Sequence, residues 1–173
     1  NPVYGELVWD ADVQPEGVAL RHVSDVGDGG RLGVVAGEYA VIEQGSGDEA
    51  SAFVAQGWLD TRLGDTATSR LSISWHRFTD LTPDGSTVVL ADDQGNAVAP
   101  RGLPAVPDFV SDFSILDAVA SVQTEFLDTP TTFAVEWIHN LEARIPQDTG
   151  WAAGVSFGRT KEPGDIRLAY QWQ

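Results

Sequence analysis

The feature that most limits what this chain can become is an alternation of large and small side chains with a period of two. In Trp151-Ala152-Ala153-Gly154-Val155-Ser156-Phe157-Gly158 the odd positions carry Trp, Ala, Val and Phe, and the even ones only Ala, Gly, Ser and Gly. Leu71, Ile73 and Trp75 alternate likewise with Ser72, Ser74 and His76, and Ile166, Leu168, Tyr170 and Trp172 with Arg167, Ala169, Gln171 and Gln173. Successive side chains of a strand point to opposite faces, so a period of two means strands. It does not say which face meets water, because a soluble sandwich and an inside-out membrane barrel share the period. The second face discriminates between them. Solvated sheet surfaces carry Lys, Glu and Thr, whereas this one is Gly, Ser, Ala and Gln with scattered Arg and Glu, as in a crowded or water-filled barrel lumen.

At 173 residues the chain is long enough for one domain with a real core. Its hydrophobic residues, 42% of the total, are interrupted by Gly, Ser or charge before any run reaches the ~18 needed for a spanning helix. A barrel hides its apolar surface by alternation, so that shortfall does not weigh against one. The net charge of −16, from 26 acidic and 10 basic residues, excludes nucleic acid as a partner, since that binding rests on Lys and Arg neutralising phosphates. Lys161 is the one lysine. Acidic pairs such as Asp25 and Asp28, Asp48 and Glu49, and Asp92 and Asp93 fall in turn-like stretches, where they solvate loops. No stretch follows the EF-hand pattern, and no metal ligand is expected. The absence of cysteine excludes disulfides and thiol chemistry, and with no methionine, even at position 1, the chain reads as a processed or truncated product.

Turn clusters divide the sequence into segments of roughly ten residues, the length of a tilted membrane-crossing strand. Strands are predicted near 2–9, 17–25, 31–43, 50–63, 68–80, 113–127, 131–144, 149–161 and 165–173. The turns between them include Gly27-Asp28-Gly29-Gly30, Gly45-Ser46-Gly47-Asp48, Asp128-Thr129-Pro130, Pro146-Gln147-Asp148-Thr149-Gly150 and Glu162-Pro163-Gly164-Asp165. Strands joined this way are antiparallel neighbours, which gives an up-and-down meander. The domain expected is a single β-barrel, or a portion of one, over 1–173, with a long inserted loop at 81–112. That loop holds Pro83, Pro100, Pro104 and Pro107, too many breakers for a central strand, though Ser86 to Ala91 could form a short one. A loop of this length caps the barrel mouth or folds into the lumen.

Catalysis is not expected. His22, His76 and His139 lie in different predicted strands without ligand spacing, and Ser72, Ser74 and His139-Asn140 lack any nucleophile elbow. Gly27, Gly29 and Gly30 sit in an acidic turn that would repel phosphate. The aromatics Trp58, Trp75, Trp137, Trp151, Tyr170 and Trp172 fall near predicted strand ends, where such rings settle at membrane interfaces. The competing role for them is an aromatic core or a sugar-stacking platform of a soluble sandwich. On the opposite face, Arg62, Arg70, Ser72, Ser74, Glu136, Arg167 and Gln171 are the expected pore-lining residues. Opposed Arg and carboxylate groups across a lumen filter solutes by charge and size.

The segments Asn1-Pro2, Leu7-Val8-Trp9-Asp10 and Pro15-Glu16-Gly17-Val18-Ala19-Leu20-Arg21 resemble a family of bacterial outer-membrane porins. So do Ser111-Asp112-Phe113, the stretch from Glu136 to His139-Asn140, and the hairpin from Asp148 to Asp165. The likeness runs over most of the chain and is weakest at 81–112. It implies an all-β, antiparallel up-and-down transmembrane β-barrel in the outer membrane of a Gram-negative bacterium. The function implied is a passive diffusion channel for small hydrophilic solutes, without cofactor or metal, touching outer-membrane lipid and leaving room for a homo-oligomer. The odd count of nine strands, and a chain in which Trp172 is followed by Gln173, give the expectation of an incomplete span of a larger barrel. The alternative is a soluble secreted β-sandwich that binds carbohydrate through surface tryptophans, with a shed or scaffold β-protein as a third reading.

Overall fold

The computed structural model describes residues 7–8, 16–42, 50–81, 92–93, 96–101, 106–159 and 166–172. They form eleven strands: β1 (Glu16–Val26), β2 (Gly30–Ile42), β3 (Ala50–Leu63), β4 (Ala67–Thr79), β5 (Asp92–Asp93), β6 (Asn96–Arg101), β7 (Val106–Phe109), β8 (Ser114–Phe126), β9 (Thr129–Asn140), β10 (Thr149–Gly158) and β11 (Arg167–Trp172). Eight of them make one antiparallel sheet in the order β1-β2-β3-β4-β8-β9-β10-β11, and β5, β6 and β7 make a small second sheet within the 81–112 insertion. The meander is as predicted, but the sheet is not closed into a barrel: β1 and β11 are its two free edges.

The large sheet has eight strands rather than the nine expected, since Leu7–Val8 is a turn rather than part of a strand, and β5, β6 and β7 add three short strands in the 81–112 segment expected to be a loop. The rest of the expected strand at 2–9 lies outside the described residues, as do the turns at 45–48 and 162–165 and the short strand expected at 86–91. Two predicted strands also end early, at Asn140 rather than 144 and at Gly158 rather than 161. Gly158 has φ +95, a left-handed conformation that breaks the ladder.

Connections differ in length at the two ends of the sheet. Three at one end are tight: 27–29, where Gly27 and Gly29 have positive φ; 64–66, opened by Gly64 at φ +69; and Leu127–Asp128. Leu127 and Asp128 have φ 51 and 55, the pair of left-handed residues of a type I′ hairpin, although neither is the Asn or Gly that adopts it without strain. The fourth connection at that end, 159–166, is longer, and at the other end the connections are 43–49, 80–113 and 141–148.

The two faces follow from the register. Leu71, Ile73 and Trp75 share one face with Leu59, Gly57 and Ala55 of β3 and with Ala120, Ala118 and Leu116 of β8. This outer face is largely open, with Leu71, Ile73, Phe133, Val135, Leu168 and Tyr170 all exposed. On the inner face Ser72, Ser74, His76 and Asp117 are buried to 1% exposure or less. Part of the shelter comes from the turn Leu7–Val8. The Leu7 amide donates to Glu136 Oε1 at 2.9 Å, and Val8 packs on the small core of Tyr39, Ala52 and Val54. The middle of the sheet is thus inverted relative to a soluble single-layer sheet, with its polar side sheltered and its apolar side bare, while inner-face arginines nearer the edges and the tight turns, such as Arg21, Arg31, Arg62 and Arg167, are exposed.

Candidate functional site

The inner face concentrates the charge of the large sheet. By register it carries Arg21, Asp25, Arg31, Asp60, Arg62, Arg70, Asp117, Glu125, Glu136 and Arg167, whereas the outer face carries only Glu16, Glu38 and Arg77, all toward the long-connection end. One inner row crosses all eight strands: Asp25, Arg31, Asp60, Arg70, Ser121, Ala134, Gly154 and Gln171. Its first four members alternate in sign. Within it Arg70 grips Asp60 in a bidentate pair, Nε to Oδ1 at 2.6 Å and Nη2 to Oδ2 at 2.9 Å. The planar guanidinium fork suits this geometry.

Nearer the long connections lies a buried polar belt. The Ser74 hydroxyl donates to Asp117 Oδ2 at 3.2 Å, and His76 Nε2 stands 3.7 Å from the same oxygen. Burial of a carboxylate is costly unless it is paired or solvated. Asp117 Oδ1 and Ser72 Oγ have no protein partner among the described residues, so they are positioned to bind water. His76, Asp117 and Ser74 do not form a hydrolytic triad, because the serine is bonded to the carboxylate rather than to the imidazole. Among the described residues no group of three or more His, Cys, Asp or Glu could hold a metal ion.

All seven residues expected to line a pore lie on the inner face: Arg62, Arg70, Ser72, Ser74, Glu136, Arg167 and Gln171. Sequence reasoning placed His76 on one face with Ser72 and Ser74 but did not single out Asp60, Arg31 or Asp117 as members of the same surface. Parity contained the signal, since Asp60 shares it with Arg62. Of the six aromatics expected at an interface, Trp75, Trp137, Trp151, Tyr170 and Trp172 lie on the outer face. Trp58 does not. It is 4% exposed on the inner face, opposite Gly33, where an added Cβ would come within 2.0 Å of its ring, and Arg21 sits 5.0 Å from the ring centroid. A missing side chain on β2 makes the slot, and the indole fills it under a guanidinium.

The outer aromatics form a line oblique to the ladder. Phe53 of β3 meets Trp75 of β4 edge-on at 5.8 Å, Trp137 of β9 stands opposite Trp151 of β10, and Trp151 meets Trp172 of β11 edge-on at 4.6 Å. From Phe53 to Trp172 the line shifts by six residues over five strand steps. With a rise of ~3.3 Å per residue and ~4.7 Å between strands, it is inclined by about 40° to the ladder direction. Arg77 and His139 lie on the long-connection side of this line, and His139 stacks on Trp137 at 5.9 Å.

No protein-family model, curated protein sequence or solved structure matches this chain.

Proposed function

We propose that this chain is wall of an outer-membrane porin: a passive channel for small hydrophilic solutes, with its outer face against lipid and its inner face lining a water-filled pore. The observation that carries this reading is the outer face. On a single-layer sheet, strands of 10 to 14 residues expose Leu, Ile, Val, Phe and Trp, with charge confined to one end. Exposed apolar patches on soluble monomers rarely exceed a few hundred Å². In hydrocarbon the same face is favourable, and charge is penalised most at mid-depth. The oblique aromatic line supports the reading independently. Barrel strands tilt by 35–45° from the axis, so a level girdle must cross the ladder at that angle.

The free edges of β1 and β11 are consistent with the expectation of an incomplete span, because in a bilayer every backbone N–H and C=O must be paired and an open edge must be met by further strands. A carbohydrate-binding sandwich would need a second sheet over the apolar face, and the described residues put none there. Refolding the intact protein into planar bilayers tests the reading. Stepwise ohmic conductance is the expected result. A protein that stays monomeric without detergent and gives no conductance would overturn it.

A further inference from the structure

At the tight-turn end of the inner face is a cleft of about 430 Å³, lined by β2, β3, β4, β8 and β9. Its charged members are Arg31, Arg62, Arg70 and Asp60, three guanidiniums against one carboxylate in a chain whose net charge is −16. Asp60 is engaged by Arg70 in the bidentate pair. Neither the Arg31 nor the Arg62 guanidinium has a hydrogen bond or ion pair among the described residues, although Arg31 stands opposite Asp60 in the register and its charge, after the Arg70 pair, helps stabilise that carboxylate. Asp25 faces Arg31 across the ladder without pairing to it, and even with Asp25 counted the cations outnumber the acids. Arg62 is carried next to the β1–β2 turn by its own backbone, its amide donating to the Gly29 carbonyl at 3.3 Å. Guanidiniums without a direct partner present planar sets of donors that match oxyanions, and both of these side chains are exposed, so they are open to a solute entering the cleft. The hydroxyl of Ser69 is already turned onto the Thr61 carbonyl, and the remaining lining donors, Thr68, Ser121, Gln123 and Thr132, are neutral, so the two arginines are the charged donors without a direct partner.

We propose that this cleft binds small oxyanions, with Arg31 and Arg62 as the contacting groups and Asp60 as a positioning residue that holds Arg70 beside them, so that the pore passes anions in preference to cations. The inference rests on the porin reading for its route of solute entry, and on the cleft alone for its ligand. The acidic turn residues Asp28, Asp65 and Asp128 do not line the cleft; they sit at the turns themselves, where mobile ions screen them beyond about 8 Å at physiological salt. The same chemistry could come from a free solute such as inorganic phosphate or from the phosphate of an anionic lipid headgroup. Arg31 and Arg62 lie on the face opposite the exposed apolar side chains, which favours the free solute.

The test uses the intact protein in planar bilayers of zwitterionic lipid under a KCl gradient, with inorganic phosphate as the probe. The wild type is expected to give a chloride-over-potassium permeability ratio above one, and millimolar phosphate to reduce the chloride current. In the double variant Arg31→Gln/Arg62→Gln the ratio should fall to one or below, and the half-blocking phosphate concentration should rise at least tenfold. Arg77→Gln, on the outer face, should change neither. Arg31→Lys/Arg62→Lys should keep the ratio above one while weakening the block, which separates charge from guanidinium geometry. Wild-type channels whose ratio and block are unchanged in the glutamine variant would overturn the inference and leave the porin reading standing. If the wild type forms no channel, the porin reading fails, and phosphate titration of the protein in detergent decides the cleft: binding lost in the glutamine variant supports it, and no binding overturns it. Anionic lipid that co-purifies on wild type but not on the glutamine variant, with free phosphate inert, would assign the site to a headgroup and overturn the solute form.

Discussion

Between Leu71 and His76 the chain presents two surfaces that obey opposite rules. Leu71 and Ile73 are exposed and apolar, while Ser72, Ser74 and His76 are buried and polar. The same inversion recurs on β9, where Phe133, Val135 and Trp137 are exposed and Glu136 is buried. In water such an arrangement forfeits the burial of large side chains, each worth about 1.5–3 kcal/mol, while leaving polar groups to be desolvated. The arrangement makes sense when the medium on the outer side is hydrocarbon and the inner side holds water. Reading the two faces against each other is therefore more informative than composition, which at 42% hydrophobic looks ordinary.

The largest effect should come from placing the same charge on the two faces at neighbouring positions. Val155→Arg, on the outer face between Trp151 and Phe157, should destabilise the folded state by roughly 2–4 kcal/mol in a lipid refolding titration. Ser156→Arg, on the inner face, should leave folding within about 1 kcal/mol and alter conductance instead. Equal folding losses would break the distinction between the faces.

The next effect sharpens the inner face. Gly33→Ala puts a methyl group into the Trp58 ring and should cost about 1–3 kcal/mol by overpacking. In a Trp58→Ala background the same change should be close to neutral, a coupling that a double-mutant cycle reads directly. Smaller still, replacing Leu127-Asp128 by Asn-Gly should stabilise the protein by about 1 kcal/mol, because both positions hold left-handed backbone that leucine adopts at a cost. The least effect is expected at the rim. Arg144 donates to Asp112 at 2.6 Å, but both side chains are more than half exposed, so Arg144→Ala should change stability by no more than about 1 kcal/mol. Its readout is faster proteolysis of the 81–113 connection, which Arg144 ties down through its Asp112 pair and its backbone bond to Ser111 Oγ.

The strands from 16 to 79 and from 114 to 158 were legible in the sequence because most are bounded by residues with a physical reason to turn, such as Gly27 and Asp128, and because alternation sets the faces. Trp58 was misplaced because its residue type was weighed above its position. It shares parity with Gln56, Asp60 and Arg62, and that parity alone puts it on the polar face. The Arg70–Asp60 pair required register between β3 and β4, which alternation within one strand does not supply. The turn at Leu7–Val8 resembled a strand because its residues are apolar; Val8 packs on Tyr39, Ala52 and Val54 across the inner face, a tertiary contact with no local signature. Closure was not legible either, since a period of two is the same in an open sheet and in a barrel.

The chain has no cysteine, so single cysteines can carry a fluorophore without background. The most direct measurement places one in turn at Leu71, Ile73, Val135 and Val155 on the outer face and at Ser121, Ala134 and Ser156 on the inner face, in protein refolded into lipid vesicles. If the outer face meets lipid, the first set will be quenched by brominated acyl chains and spared by iodide, and the second set will show the reverse. Iodide quenching of Leu71, Ile73, Val135 and Val155, with no response to brominated lipid, would contradict the lipid-facing assignment.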